Sequence, residues 1–312
     1  MPRYRHRLPQ LEGGIFLADG GIETDLIFHH GVDIPQFAAH TLLAETDKVD
    51  LLADYFRGFL ALARQQGTGF ILDSQTWKAH LHWADDLGAS AADLRAANRD
   101  SIAFIAGLRD EFADHAQPIV LNGIIGPTSD AYAPDSRRGA DEAQRYHAAQ
   151  LGWLAATEVD MVTATTFPHA EEAIGFVRAA QALGLPAVVS FTVETDGRLP
   201  SGRPLADAIR AVDDATGGAA AYFQVNCAHP DHFFHLLGDF DWCRRIRGLR
   251  CNASRLSHAE LDACETLDDG DPVAFGAHYR AVRQKLPWVN VVGGCCGSDL
   301  RHVTEVARAC CG

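Results

Sequence analysis

Three cysteines carry the most specific chemistry in this sequence. Cys295 and Cys296 sit side by side in Gly293-Gly294-Cys295-Cys296-Gly297, and Cys227 follows Asn226 in a polar turn well upstream. A structural zinc site fills all four tetrahedral positions with protein ligands, whereas a catalytic site keeps one for water or substrate. Three thiolates on one ion leave that position open. Thiolates are soft ligands and favour zinc or an iron–sulfur cluster over magnesium or calcium. The flanking glycines let the backbone bend tightly enough for both neighbouring side chains to face one ion.

A free thiol is more often a small buried hydrophobe than a ligand, and Cys243 and Cys264 are read that way. Cys251 closes a strand and is read as structural, and Cys310-Cys311 as a frayed, exposed end. All eight cysteines lie in the last third of the chain. A disulfide-stapled secreted domain is not built like that, so reduced thiols are expected.

Distant cysteines can share an ion only if a scaffold gathers them. Short apolar runs at 14–18, 70–72, 119–122, 161–164, 187–191, 220–225, 246–250 and 289–292 alternate with amphipathic stretches at 48–66, 91–112, 141–156, 170–183, 205–214, 272–284 and 299–308. Such alternation builds βα units around a parallel sheet. Eight runs with interleaved helices predict an α/β fold, a (β/α)8 TIM barrel over 1–312 as a single domain, although a doubly wound sheet gives a similar pattern. No Pro/Ser-rich linker divides the chain. In a barrel, Cys227 follows the sixth strand and Cys295-Cys296 follow the eighth. All three then emerge at the C-terminal face, where barrel enzymes place their chemistry.

Composition narrows the partners. The 41 acidic and 27 basic residues give a net charge of −14, which repels a phosphate backbone, and no lysine- or arginine-rich run offsets this locally. Nucleic acid is not expected. No apolar stretch reaches the roughly 20 residues that span a bilayer, and the N-terminus leads into no signal-peptide core. A cytoplasmic protein with no membrane partner is expected.

Other strand ends carry polar groups. Asp19-Gly20-Gly21-Ile22-Glu23-Thr24 reads either as a helix-capping turn or as a carboxylate aimed at a substrate cation beside glycine amides. Asp73-Ser74-Gln75-Thr76-Trp77-Lys78 suits the wall of a small-molecule cavity. Gly123-Ile124-Ile125-Gly126-Pro127 has no phosphate-binding lysine, which argues against a nucleotide. The histidines lack the His-Glu-x-x-His arrangement of a zinc protease and are read as non-ligands.

Together these motifs, with Ser190-Phe191-Thr192, Gly197-Arg198-Leu199-Pro200-Ser201-Gly202 and Val225-Asn226-Cys227, make the chain resemble the homocysteine S-methyltransferase family over almost its whole length. The resemblance implies that Cys227, Cys295 and Cys296 ligate Zn2+. It implies that Asp19, Gly20, Gly21, Thr76, Trp77 and Asn226 hold the substrate, with no catalytic group beyond the metal site. The implied reaction moves a methyl group from a sulfonium or ammonium donor, S-methylmethionine-like, to homocysteine, giving methionine. The partners are thus a small-molecule thiol and a methyl donor, and Trp77 offers the donor a cation–π face.

Two positions depart from the family pattern. Where members carry Phe-Glu-Thr-x-Pro after the fourth strand, with the glutamate on the substrate amine, this chain reads Ala164-Thr165-Thr166-Phe167-Pro168. Either Asp19 or Glu194 then holds the ammonium, or the acceptor is another thiol or selenol without one. Lys78 stands beside Trp77 where betaine-type members have an aromatic. A further alternative is a zinc- or redox-sensing barrel without catalysis. The chain ends soon after the eighth unit, without the long C-terminal arm of betaine-type members, so a monomer or weak homodimer is expected.

Overall fold

The computed structural model describes residues 1–132 and 138–311. Eight strands, β1 (Phe16–Leu17), β2 (Gly69–Asp73), β3 (Ile119–Ile125), β4 (Met161–Phe167), β5 (Ala187–Phe191), β6 (Ala220–Asn226), β7 (Ile246–Cys251) and β8 (Val291–Gly294), pair in sequence order. All pairs are parallel, and β8 returns to β1, which closes the barrel as a single domain. Outside it run α1 (Ile22–His30), α2 (Thr46–Gln66), α3 (Ala91–Glu111), α4 (Ala140–Ala155), α5 (Ala170–Ala182), α6 (Leu205–Thr216), α7 (Pro230–Phe233), α8 (His258–Asp262), α9 (Pro272–Lys285) and α10 (Leu300–Cys311). Each expected strand is present. The first shrinks because Gly13 and Gly14 take positive φ just before it, and the eighth runs on through Gly293 and Gly294. Among the described residues no helix is long and apolar enough to cross a membrane.

Alternation along the strands makes two layers inside the barrel. Phe16, Ile71, Val120, Met161, Val188, Tyr222 and Val291 point inward and form an apolar floor, with Gln10 reaching up to the Met161 sulfur at 3.1 Å. Two residues further along, the inward positions become Asp73, Asn122, Thr163, Ser190, Gln224 and Arg250. Polar groups buried there need partners. Asn122 donates to Asp73 at 2.8 Å and accepts from Thr163 at 2.9 Å. The outward residues, such as Leu72, Leu121, Val189 and Phe223, pack under the helices in the main core.

The C-terminal cysteines differ from expectation. α10 continues through Cys311, and Cys310 is buried in the main core beside Val303, Val306 and Ala307, which share its helical face. Cys264, expected to be buried, is exposed at the cavity rim. Cys243 and Cys251 are buried core residues, as expected.

Candidate active site at the C-terminal end of the barrel

Cys227, Cys295 and Cys296 converge at the mouth of the barrel, their sulfurs all within 4.8 Å of one another. The Cys227 and Cys295 sulfurs are in direct contact, as in a disulfide, with Cα atoms 5.5 Å apart. Cys227 holds a left-handed conformation, φ 50°, uncommon outside glycine. Its carbonyl is gripped by Asn252 Nδ2 at 3.1 Å and His258 Nε2 at 2.6 Å, while its amide donates to the Arg250 carbonyl at 3.0 Å. Such strain persists only where the surroundings over-determine it. Cys296 is half-buried, and desolvation pushes its thiol up to about 12, with the Glu23 carboxylate adding to the effect.

The paired cysteines are fixed by the glycines around them. A side chain on Gly294 would overlap the Ser298 hydroxyl, and one on Gly20 would come within 2.5 Å of the Ser298 carbonyl oxygen. The Gly21 amide donates to that same carbonyl at 2.8 Å, and Thr24 Oγ1 accepts from the Gly297 amide at 3.0 Å. The turn after β1 and the cysteine loop are thus one packed unit. Gly20→Ala is expected to cost about 1–3 kcal/mol by overpacking, read as a lower urea midpoint with an unchanged m value.

A cavity of about 670 Å³ opens above the polar layer and reaches the three cysteines. Its electrostatic centre is Arg250, which bonds Asp19 closely, donates to Asp73 Oδ2 at 2.5 Å and to the Gly294 carbonyl at 2.8 Å. One guanidinium thereby ties the ends of β1, β2, β7 and β8. Glu23 and Lys78 also line the cavity. Burial pushes the Glu23 carboxyl up to about 7, and burial lowers the Lys78 ammonium. The Lys78 Nζ lies 3.8 Å from the centre of the Trp83 ring, 5.3 Å from Trp77 and 5.9 Å from Phe37.

The model of the homocysteine S-methyltransferase family matches residues 16–310. The chain belongs to that family and is a methyltransferase. No curated protein sequence matches it. Among solved structures it is similar to the metallated form of the homocysteine methyltransferase MmuM from Escherichia coli, with a TM-score of 0.73 and 17% identity over 98% of this chain and 99% of that one. The oxidized form of MmuM gives 0.72 at 17% identity over the same shares, and the apo form 0.64 at 16% identity over 96% of each chain. At such identity the likeness establishes the fold.

Several other residues singled out in this methyltransferase by its sequence sit at the cavity, though not all present a free group. Asp19 lines it but is bound by Arg250, with Tyr55 Oη at 3.4 Å. Gly20 and Gly21 line it, and their lack of side chains serves the cysteine loop as much as any ligand. Asn226 lines it with its amide committed: its oxygen accepts from Ser190 Oγ at 2.6 Å and the Thr166 amide at 3.0 Å, and its nitrogen donates to Thr166 Oγ1 at 2.7 Å. Thr166, at φ 64°, is the second strained residue here, and Asn226 holds it beside Cys227. Trp77 lines the cavity and donates to the Thr165 carbonyl at 3.1 Å. Thr76 does not line it. Its hydroxyl turns back to the Ile124 carbonyl at 2.6 Å and Ser74 at 2.7 Å, because the turn after β2 needs those groups satisfied.

Glu194 meets His258 Nδ1 at 3.2 Å and lies off the cavity wall. Arg250, Glu23 and His258 were not anticipated as functional. Arg250 had a weak signal, a cation at the C-terminal end of a strand run that also carries Arg247. Two further side-chain groups have metal-like spacing, His229/Asp231/His278 and Asp25/His29/Asp299. Arg255 lies 3.1 Å from Asp231 and Arg301 2.6 Å from Asp299, so a guanidinium already supplies the positive charge at each.

Proposed function

We propose that this family member is a zinc-dependent S-methyltransferase that moves a methyl group from a sulfonium or ammonium donor, S-methylmethionine-like, to homocysteine, giving methionine. The observation that carries it is the convergence of three cysteine sulfurs on one point of the cavity wall. A disulfide uses two of them and leaves Cys296 without a role, whereas one thiophilic ion uses all three and keeps a position for substrate. The donor set therefore fits zinc. A reduced, cytoplasmic setting suits it, and a monomer or weak homodimer is sufficient because one chain supplies every residue named.

When bound, zinc supplies the Lewis acidity that keeps an acceptor thiol deprotonated at neutral pH, where a free thiol near pKa 8.5 is mostly protonated. The protein's own part is positional. Asn226, Asn252 and His258 fix Cys227, and the glycine-packed turn fixes Cys295 and Cys296. Methyl transfer forms the new S–CH3 bond on the acceptor as the donor's bond to that carbon breaks. The electron pair leaves with a neutral sulfide or amine, and the acceptor's proton goes to solvent. No general acid is required, because the leaving group departs neutral.

Lys78 shapes donor choice. Its ammonium occupies the aromatic faces of Trp83 and Trp77 that a cationic donor would use, so such a donor is admitted only as Lys78 withdraws. The zinc-loaded protein is expected to form methionine from homocysteine and S-methylmethionine, and to stop when the metal is chelated. Turnover persisting in protein shown metal-free by elemental analysis would sink the mechanism.

A further inference from the structure

Glu23 has no part in the chemistry derived so far. It stands in the first turn of α1, where a helix N-terminus favours an acid. That accounts for its charge but not for its direction, because the half-buried side chain lines the cavity. Among the described residues it makes no ion pair, and its one hydrogen bond is to its own backbone amide.

Of the other acids in the cavity wall near the cysteines, Asp262 is exposed to solvent at the rim and the inner ones are already engaged. Asp19 and Asp73 share Arg250, and Asp268 accepts from the Ser254 hydroxyl. Lys78 rests on aromatic rings with no carboxylate at ion-pair distance among the described residues, and Lys78 and Arg250 act on Glu23 only from a distance, so among the described residues no cation meets it at contact. The end of β4 offers only Thr165 and Thr166 to the cavity.

The backbone beneath Glu23 is pinned. Gly21 donates to the Ser298 carbonyl at 2.8 Å and Thr24 accepts from Gly297 at 3.0 Å, on either side of it. The carboxyl group is therefore held at a set place relative to the cysteine loop, near enough for Cys296 to feel its charge. A half-buried carboxyl group without a partner at contact is less well solvated than a surface one, and a ligand cation that pairs with it is favoured. A cationic group entering from the cavity would complete it, and the cysteines line the same cavity, so one molecule can reach both.

We propose that Glu23 binds the α-ammonium group of an amino-acid thiol whose sulfur lies at the cysteine centre, which makes Glu23 the acceptor-specificity residue of this chain. This rests on the reading of the site as a thiol methyltransferase. A thiol without the ammonium leaves the half-buried Glu23 carboxyl unpaired in the cavity wall, and sites built around such a group reject the analogue that lacks it.

The test titrates the zinc-loaded, full-length protein and its Glu23→Gln and Glu23→Asp variants calorimetrically with homocysteine and with its desamino analogue γ-mercaptobutyrate, and follows methyl transfer to each. The unmodified protein is expected to bind homocysteine at least about tenfold more tightly than the analogue, the range of one charged hydrogen bond. Glu23→Gln is expected to lose about 10–100-fold on homocysteine and less than about twofold on γ-mercaptobutyrate, with the effect falling on KM more than on kcat. Glu23→Asp should fall between. Equal zinc content and melting temperature establish that the variants are folded. Equal losses on both thiols, or no loss on either, overturn the assignment. If the unmodified protein methylates both thiols equally well, the methyltransferase reading stands and the role of Glu23 falls. If it methylates neither, both fall.

Discussion

Exchanging Arg250 for methionine is expected to cost about 3–5 kcal/mol of folding stability, the range seen when one partner of a buried ion pair is removed. The side chains are of similar length, so the loss is of charge and hydrogen bonds more than of volume. Arg250 bonds Asp19, Asp73 and the Gly294 carbonyl at once, and its removal leaves two buried carboxylates side by side in the barrel mouth. Neutral carboxyl groups tolerate that position and ionised ones do not. The variant's folded-state carboxyl pKa values therefore rise above their unfolded values, and stability is lost as pH rises through them. Urea denaturation at about pH 5 and about pH 8 should give a larger deficit at the higher pH. A triple variant that also carries Asp19→Asn and Asp73→Asn should recover much of the loss, because no charge is then left unpaired. A deficit that is the same at both pH values would mean that Arg250 contributes packing alone. Arg250→Lys restores the charge but not the three-way fork, and is expected to recover only part.

That network also marks where the sequence stops being informative. The barrel was legible because alternation of apolar runs and amphipathic stretches is a local signal, and each of the eight runs became a strand. The cysteine centre was legible because Gly293-Gly294-Cys295-Cys296-Gly297 is local too, and strand order alone carries Cys227 to the same face. The Arg250 contacts join residues 231 and 177 positions apart, and no periodicity reports which strand-end charges meet. Asp19 was read as open to substrate for that reason. Thr76 shows a second limit, since residue type within a loop says little about which side chains face the cavity. Only the backbone of β3 decides that its hydroxyl turns back to Ile124. Glu23 was hidden by α1, a helix whose polar first turn looks in sequence like an ordinary cap. Cys310, in contrast, was recoverable. Val303, Val306, Ala307 and Cys310 recur at helical spacing, and that face is buried.

The cysteine centre is expected to respond most strongly of all. Cys295→Ala should reduce retained zinc after dialysis to a small fraction of one equivalent and lower methyl transfer by at least about 1000-fold, or about 4 kcal/mol of barrier. The reasoning begins with the donor set. With three thiolates, the ion is held by soft ligands and keeps one position for the acceptor sulfur. With two, its remaining positions fall to water, and the ion is retained too weakly to lower the acceptor's pKa. Neither His229 nor Glu194 can step in. His229 accepts from the Asp231 amide at 3.2 Å, and Glu194 is turned toward His258. Cys243→Ala is the matched control. That thiol is buried in the core and lines no part of the cavity, so its removal should cost about 1 kcal/mol as a small void and leave zinc and turnover unchanged. Adding Cys251→Ala extends the comparison to a thiol one strand away, where burial pushes the group up to about 12 and holds it as a neutral thiol. Loss of metal confined to Cys227, Cys295 and Cys296, measured by elemental analysis on proteins of equal melting temperature, would assign the ion to these three sulfurs. Equal loss at Cys243 would place the effect in folding, and turnover that survived without metal would remove zinc from the reaction.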